Sequence, residues 1–185
     1  MAVHVHKGPF DVDAYQRLAA LGVLREDARV ELIDGQVVEM SPIGDRHASC
    51  VRRLNRLFSR LVLDIAIIDV QNTLVLGRHD APQPDLVLLA PKADVYPKHP
   101  RAGDVLLVIE VADTTLAYDR DVKIPLYARS GIPEAWLVNL PADRIEVHRQ
   151  PTSGEYSYSR PVRRGEVLSP LHFPDVTLAA ADILG

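Results

Sequence analysis

The sequence predicts an α/β domain. Three observations carry that reading: two apolar runs of strand length, a helical repeat directly after them, and a hairpin with an amphipathic helix ahead of them. The runs are Gln83-Pro84-Asp85-Leu86-Val87-Leu88-Leu89 and Val105-Leu106-Leu107-Val108-Ile109-Glu110-Val111, each with one carboxylate near an end. Asp119, Lys123 and Tyr127 then recur every four positions, which is one face of a helix. A carboxylate at the margin of a buried run cannot be left unpaired, because desolvating a charge is expensive. Two on neighbouring strands also repel each other. A shared proton, a basic partner or a metal ion relieves this, so Lys123 and a divalent cation are both physical candidates.

Composition narrows the class. A chain of 185 residues is long enough for one domain with a substantial core, here residues 1–185 with the core over about 11–178. Hydrophobic residues at 47% and charged residues at 25% are ordinary globular values. A net charge of −4 argues against coating nucleic acid by bulk electrostatics, so any polyanion site must be local. The single cysteine, Cys50, excludes an intramolecular disulfide framework and a zinc ribbon. No stretch approaches the roughly 18 apolar residues of a membrane span. Met1 to Lys7 has no apolar signal core, and the expected location is cytoplasmic.

In chain order, Asp11 and Asp13 precede Tyr15, Leu18 and Leu21, with Gly22 after them: a short capped helix. Asp34-Gly35 between Arg29–Ile33 and Gln36–Met40 signals a hairpin with a type I′ turn, and Ser41-Pro42 closes it. Glu31 in this hairpin is either an exposed strand carboxylate or part of a site. Residues 46–63 form the clearest helix, with His47, Val51, Leu54, Phe58 and Leu61 on one face. His47 lies near the helix N-terminus, where a neutral imidazole is favoured; a satisfied buried histidine and a catalytic one both fit. Arg52, Arg53, Arg56 and Arg60 form a basic stripe, either a solvated helix face or a local phosphate-binding surface.

Residues 65–76 are β-rich and enter the sheet in this reading, and two prolines make 78–84 a loop. Strand 85–90, a proline-rich loop over 91–103 and the buried strand 104–112 follow. A helix spans 119–130, but Pro125 inside it demands a late start or irregular first turns. Gly131 ends it, strand 135–140 comes next, and Pro141-Ala142-Asp143 turns into the alternating strand 144–150. Tyr156 and Tyr158 suggest one more strand, and the tail from Leu168 reads as packing.

The ordered set Val30-Glu31-Leu32-Ile33-Asp34-Gly35, Met40-Ser41-Pro42, His47, Pro84-Asp85, Ile109-Glu110-Val111, Lys123, Tyr127, Gly131-Ile132-Pro133-Glu134 and Trp136-Leu137-Val138 resembles the Uma2 family (DUF820) of restriction-endonuclease-like proteins, within the PD-(D/E)xK nuclease superfamily. The resemblance implies a restriction endonuclease-like fold, with a mixed central sheet flanked by helices, and a homodimer. It implies a metal-dependent endonuclease acting on nucleic acid, with DNA the expected substrate. Asp85, Glu110 and the backbone carbonyl of Val111 would hold Mg²⁺ or Mn²⁺, hard cations that prefer oxygen ligands. Lys123 would stabilise the attacking water and phosphate, and His47 and Glu31 would complete the pocket.

The chain departs from the superfamily pattern at Ala112, where a lysine is expected two residues after Glu110. Lys123, displaced onto the following helix, is the substitute. Two other readings stay open. One is a catalytically inactive module that keeps the fold and binds nucleic acid or a protein partner. The other is a structural ion-pair cluster of Asp85, Glu110 and Lys123.

Overall fold

Helix formation begins where Asp11 accepts from the amide of Ala14 (2.8 Å), capping α1 (Val12–Ala20). The computed structural model describes residues 9–24, 28–63 and 65–185, so the Met1–Lys7 segment discussed above lies outside the described residues. Val12 and Tyr15 are the buried face of α1, whereas Leu21, read as part of this helix, lies just beyond its end and is exposed. The hairpin pairs β1 (Val30–Ile33) with β2 (Gln36–Glu39), and Asp34 and Gly35 have φ of 49° and 73°, the positive pair that a type I′ turn needs.

Next comes α2 (Asp45–Leu61), which buries Cys50, Val51, Leu54 and Phe58. Leu61, expected on that face, is exposed; the helix ends there, and Val62 turns into the core one residue later. Of the β-rich stretch 65–76, only β3 (Ile67–Asp69) joins the main sheet. The chain leaves the strand at Gln71, whose φ is +53°, a left-handed conformation that ladder pairing does not use. Val75 returns only as an isolated bridge to Arg101.

The strands β4 (Leu86–Leu89) and β5 (Val105–Ala112) pair antiparallel, with Leu86 opposite Ile109. A single helical passage then leads to β6 (Glu134–Asn139), which lies parallel to β5. Both β7 (Arg144–Pro151) and β8 (Tyr156–Arg163) add antiparallel, giving a six-stranded mixed sheet in the order β3-β4-β5-β6-β7-β8. A small pair, β9 (Val167–Leu168) with β10 (Leu178–Ala179), and α5 (Ala180–Leu184) close the chain.

Side-chain alternation sends the sheet's two faces into two cores. Leu86, Leu88, Ile109, Trp136 and Val138 pack with Leu54 and Phe58 of α2 and with Ile183 of α5. The Phe58 and Trp136 rings sit 6.0 Å apart, centroid to centroid. On the other face, Val87, Leu89, Val108 and Leu137 pack with Ile124 and Tyr127. Helices therefore flank a mixed sheet, as the sequence predicts for an α/β domain. No helix among the described residues is long and apolar enough to cross a membrane.

Gly35 is held by more than its φ: a Cβ there would lie 2.9 Å from the backbone Cα of Pro9. Gly35→Ala is expected to cost at least about 1–2 kcal/mol, from the left-handed penalty of an L-residue plus this contact, as a lowered urea midpoint with unchanged m-value.

Candidate functional site

The register of β4 and β5 creates the site. Leu86 and Ile109 face α2; Asp85, just ahead of β4, stands at the strand end within reach of His47 of α2, and Glu110, the next residue of β5, faces the opposite side. That side is covered by the passage after β5, which is helical in three parts: α3 (Leu116–Tyr118), a π-helical turn (Asp119–Lys123) and α4 (Ile124–Arg129). The π turn is the irregularity that Pro125 demands. A proline has no N–H and crowds the carbonyl four residues back, and the wider turn accommodates both. Asp119, Lys123 and Tyr127 are all buried on the inward face.

Lys123 is the hub. Its Nζ lies 2.8 Å from Glu110 Oε1 and 3.5 Å from Glu31 Oε2. Tyr127 donates its hydroxyl to the same Glu110 Oε1. Two donors therefore converge on one oxygen of Glu110, and Oε2 has no hydrogen-bond partner among the described residues. Glu31 is buried at 1% exposure, not exposed, and accepts from Tyr118 OH (3.1 Å) and the Gln83 amide (3.2 Å). The β1–β2 hairpin thus delivers a second carboxylate to the lysine. The displacement of the lysine from position 112 does not separate it from Glu110.

Asp85 is organised from the other side. Its Oδ2 accepts from the Val111 amide (2.9 Å) and lies 3.0 Å from His47 Nε2; its Oδ1 accepts from Gln71 Nε2 (3.1 Å). The turn at Gln71 that ends β3 is what brings this amide in. Burial alone would push the His47 imidazole down, but the bond to Asp85 and its charge outweigh it, and the pKa is raised. The expectation of a favoured neutral imidazole is corrected: the Asp85 carboxylate at hydrogen-bond distance outweighs burial and favours the charged form. His47 Nδ1 is buried with no partner.

Burial would push Asp85 up, yet His47, Lys123 and the Val111 amide together hold it below the usual carboxylate range. Glu110 goes the other way. Desolvation, helped by Asp85 and Asp119 and opposed by Lys123, pushes it up to about 8. Burial likewise raises Asp119, although Lys123 and a hydrogen bond from Thr115 (2.5 Å) oppose it. Lys123 is held well above its ordinary value, because the surrounding carboxylates outweigh its own burial. Four buried acids thus share one buried ammonium and one histidine. Such a concentration of hard oxygen donors suits a divalent cation. Among the described residues no group of three or more His, Cys, Asp or Glu is placed to hold an ion by itself. Mg²⁺ characteristically takes one or two carboxylates and fills its shell with water and substrate oxygens, and the pair Asp85–Glu110 with its free Oε2 fits that pattern.

These groups floor a pocket of about 500 Å³ that also includes Val111, Arg29 and Asp113 in its lining. The structure brings Glu31, His47, Asp85, Glu110, Val111 and Lys123 to one place, and the arginine stripe to another. Arg52, Arg56 and Arg60 are exposed on α2 and do not line the pocket. Arg53 is engaged by the chain's own end, donating to the carbonyls of Ile183 (3.0 Å) and Leu184 (2.8 Å). The sequence reading missed Gln71, Tyr118 and Asp119 as site residues. Asp119 alone carried a signal, its four-residue spacing from Lys123.

A model of the Uma2 family, described as "Putative restriction endonuclease", matches residues 12–181. None of the curated proteins matches the chain. Among solved structures, the chain is similar to a putative nuclease belonging to DUF820 from Anabaena variabilis ATCC 29413, with TM-score 0.74 and 14% identity over 95% of this chain and 98% of that one. At that identity the likeness shows a shared fold. The type IIG restriction endonuclease BpuSI matches at TM-score 0.46 and 15% identity, covering 78% of this chain and 17% of that one.

The Glu110 shift has a sign. A carboxyl with pKa about 8 in the folded state and an ordinary one when unfolded binds more protons folded, so its stabilising contribution is present at low pH and is lost as pH rises toward 8. Wild-type stability is expected to fall over that window without divalent metal, and Glu110→Gln to flatten the fall, read from urea midpoints at a series of pH values.

Proposed function

The chain belongs to the Uma2 family, and from that premise we propose that it is a metal-dependent endonuclease hydrolysing phosphodiester bonds in DNA. The observation that carries this reading is the opposed pair Asp85 and Glu110, with the buried ammonium of Lys123 at 2.8 Å from Glu110, at the floor of one pocket. In this reading Asp85, Glu110 and the Val111 carbonyl hold Mg²⁺ or Mn²⁺. The ion, when bound, supplies a more acidic water and neutralises charge on the phosphate.

The protein's own residues do the rest. Tyr127 and Lys123 fix Glu110 through Oε1 and leave Oε2 without a partner among the described residues. The Val111 amide, Gln71 and His47 fix Asp85 through both of its oxygens. His47 orients Asp85 through Nε2. Glu31 steadies Lys123, whose fixed charge faces the position where the phosphate gains negative charge. The carboxylate oxygen that Glu110 leaves without a partner among the described residues supports a site over a cluster that only neutralises itself.

A second reading draws on a specific feature: Lys123 is bonded to two carboxylates at once, and Ala112 stands where the superfamily expects its lysine. That reading is an inactive nuclease-fold module that binds nucleic acid without cutting it.

Labelled DNA incubated with Mn²⁺ separates the two. Cleavage by the wild type is expected to fall on the order of 10²–10³-fold in Asp85→Ala and in Glu110→Ala, comparable to removing a transition-state donor. Equal cleavage by wild type and both variants would refute the proposed site. Salt-sensitive DNA binding without turnover would favour the inactive module.

A further inference from the structure

The acids lie at the bottom of a recess whose rim is tied across. Asp85, Glu110 and Lys123 are 6%, 3% and 2% exposed. One wall is the segment Met40–Gly44 leading into α2, and the other is the segment from Asp113 to Tyr118. The walls meet at Gly44, where an added Cβ would lie 4.0 Å from Asp113 Oδ2. Arg46 fastens that meeting point, 3.7 Å from Asp113 Oδ1 through Nη1 and donating to the Leu140 carbonyl (2.7 Å) through Nη2. Arg29 braces the first wall by donating to the Ser41 carbonyl (2.7 Å).

A recess of about 500 Å³ falls in the roughly 300–1,000 Å³ range of small-ligand sites. It has room for a nucleotide, whereas a duplex is a rod whose major groove alone is about 12 Å wide. In a continuous duplex each phosphate is flanked by neighbours along the backbone, and its base is paired and stacked. Such a phosphate reaches carboxylates only 3–6% exposed at the floor of a recess by leaving its place in the duplex. A strand without a partner can reach them directly, with its base turned against one wall. That wall is available: Val38, Met40, Pro42 and Ile43 line the pocket beside the polar floor, and Ile43 is 42% exposed. The exposed arginines Arg52, Arg56 and Arg60 lie outside the pocket lining and are not part of this site.

Granting the nuclease reading, on which this inference rests, we propose that the substrate is unpaired nucleic acid, a single strand or a flap, and that continuous duplex is excluded from the pocket. The test compares three labelled DNAs of one sequence in Mn²⁺: a single strand, a duplex with a single-stranded flap, and a duplex closed by hairpins at both ends. Cleavage of the single strand and of the flap is expected to be at least about tenfold faster than of the closed duplex, a difference of about 1.4 kcal/mol in barrier. Equal or faster cutting within the closed duplex overturns the inference and leaves the nuclease reading intact. No cutting of any of the three overturns the nuclease reading. Binding of the same DNAs in Ca²⁺, read by fluorescence anisotropy, then judges strand preference by itself: tighter binding of the single strand supports it, and duplex binding of equal or greater strength overturns it.

Discussion

Glu31, Asp85, Glu110 and Asp119 are all buried around one ammonium, that of Lys123. Burying charge is tolerated only with partners and hydrogen bonds in place, and the architecture of this side of the molecule supplies them. The hairpin brings Glu31, the ends of β4 and β5 bring Asp85 and Glu110, and the π turn brings Asp119 and Lys123. Losing the lysine would leave several acids desolvated and uncompensated, which in buried clusters costs about 3–5 kcal/mol. Stability and site are therefore one arrangement.

The two carboxylates are not equivalent. Asp85 sits below its usual range, held by an imidazole, a backbone amide and the lysine; Glu110 is raised to about 8 by burial. Environments that separate the pKa values of neighbouring acids are common at functional sites. His47 belongs to the Asp85 half, and Tyr127 to the Glu110 half. Each acid thus has its own oriented support.

Much of this was legible in the sequence wherever a period or a turn preference carried it. Asp34-Gly35 announced the type I′ hairpin, the α2 face was visible at Val51, Leu54 and Phe58, and the four-residue spacing placed Lys123 and Tyr127 on one inward face. What stayed hidden was partner choice across long separations. Tyr118 meets Glu31 from 87 residues away, and the charge of His47 is set by a carboxylate 38 residues on. Periodicity reports a face, not who stands opposite it. Pro125 signalled irregularity without its form, the π turn. Arg53 looked like its neighbours in the stripe and is instead committed to the last carbonyls of the chain.

The most direct test of the central account is a thermal melt of the wild type with Mg²⁺, Mn²⁺ or Ca²⁺, beside Asp85→Ala and Glu110→Ala. A ligand that binds only the folded state adds about 2.7 kcal/mol at one hundred times its dissociation constant. The account predicts a concentration-dependent rise in wild-type melting temperature that both variants lose. A wild type whose melting temperature does not respond to any of the three ions at millimolar concentration would contradict it, and would leave Lys123 as the neutralising partner of a structural cluster.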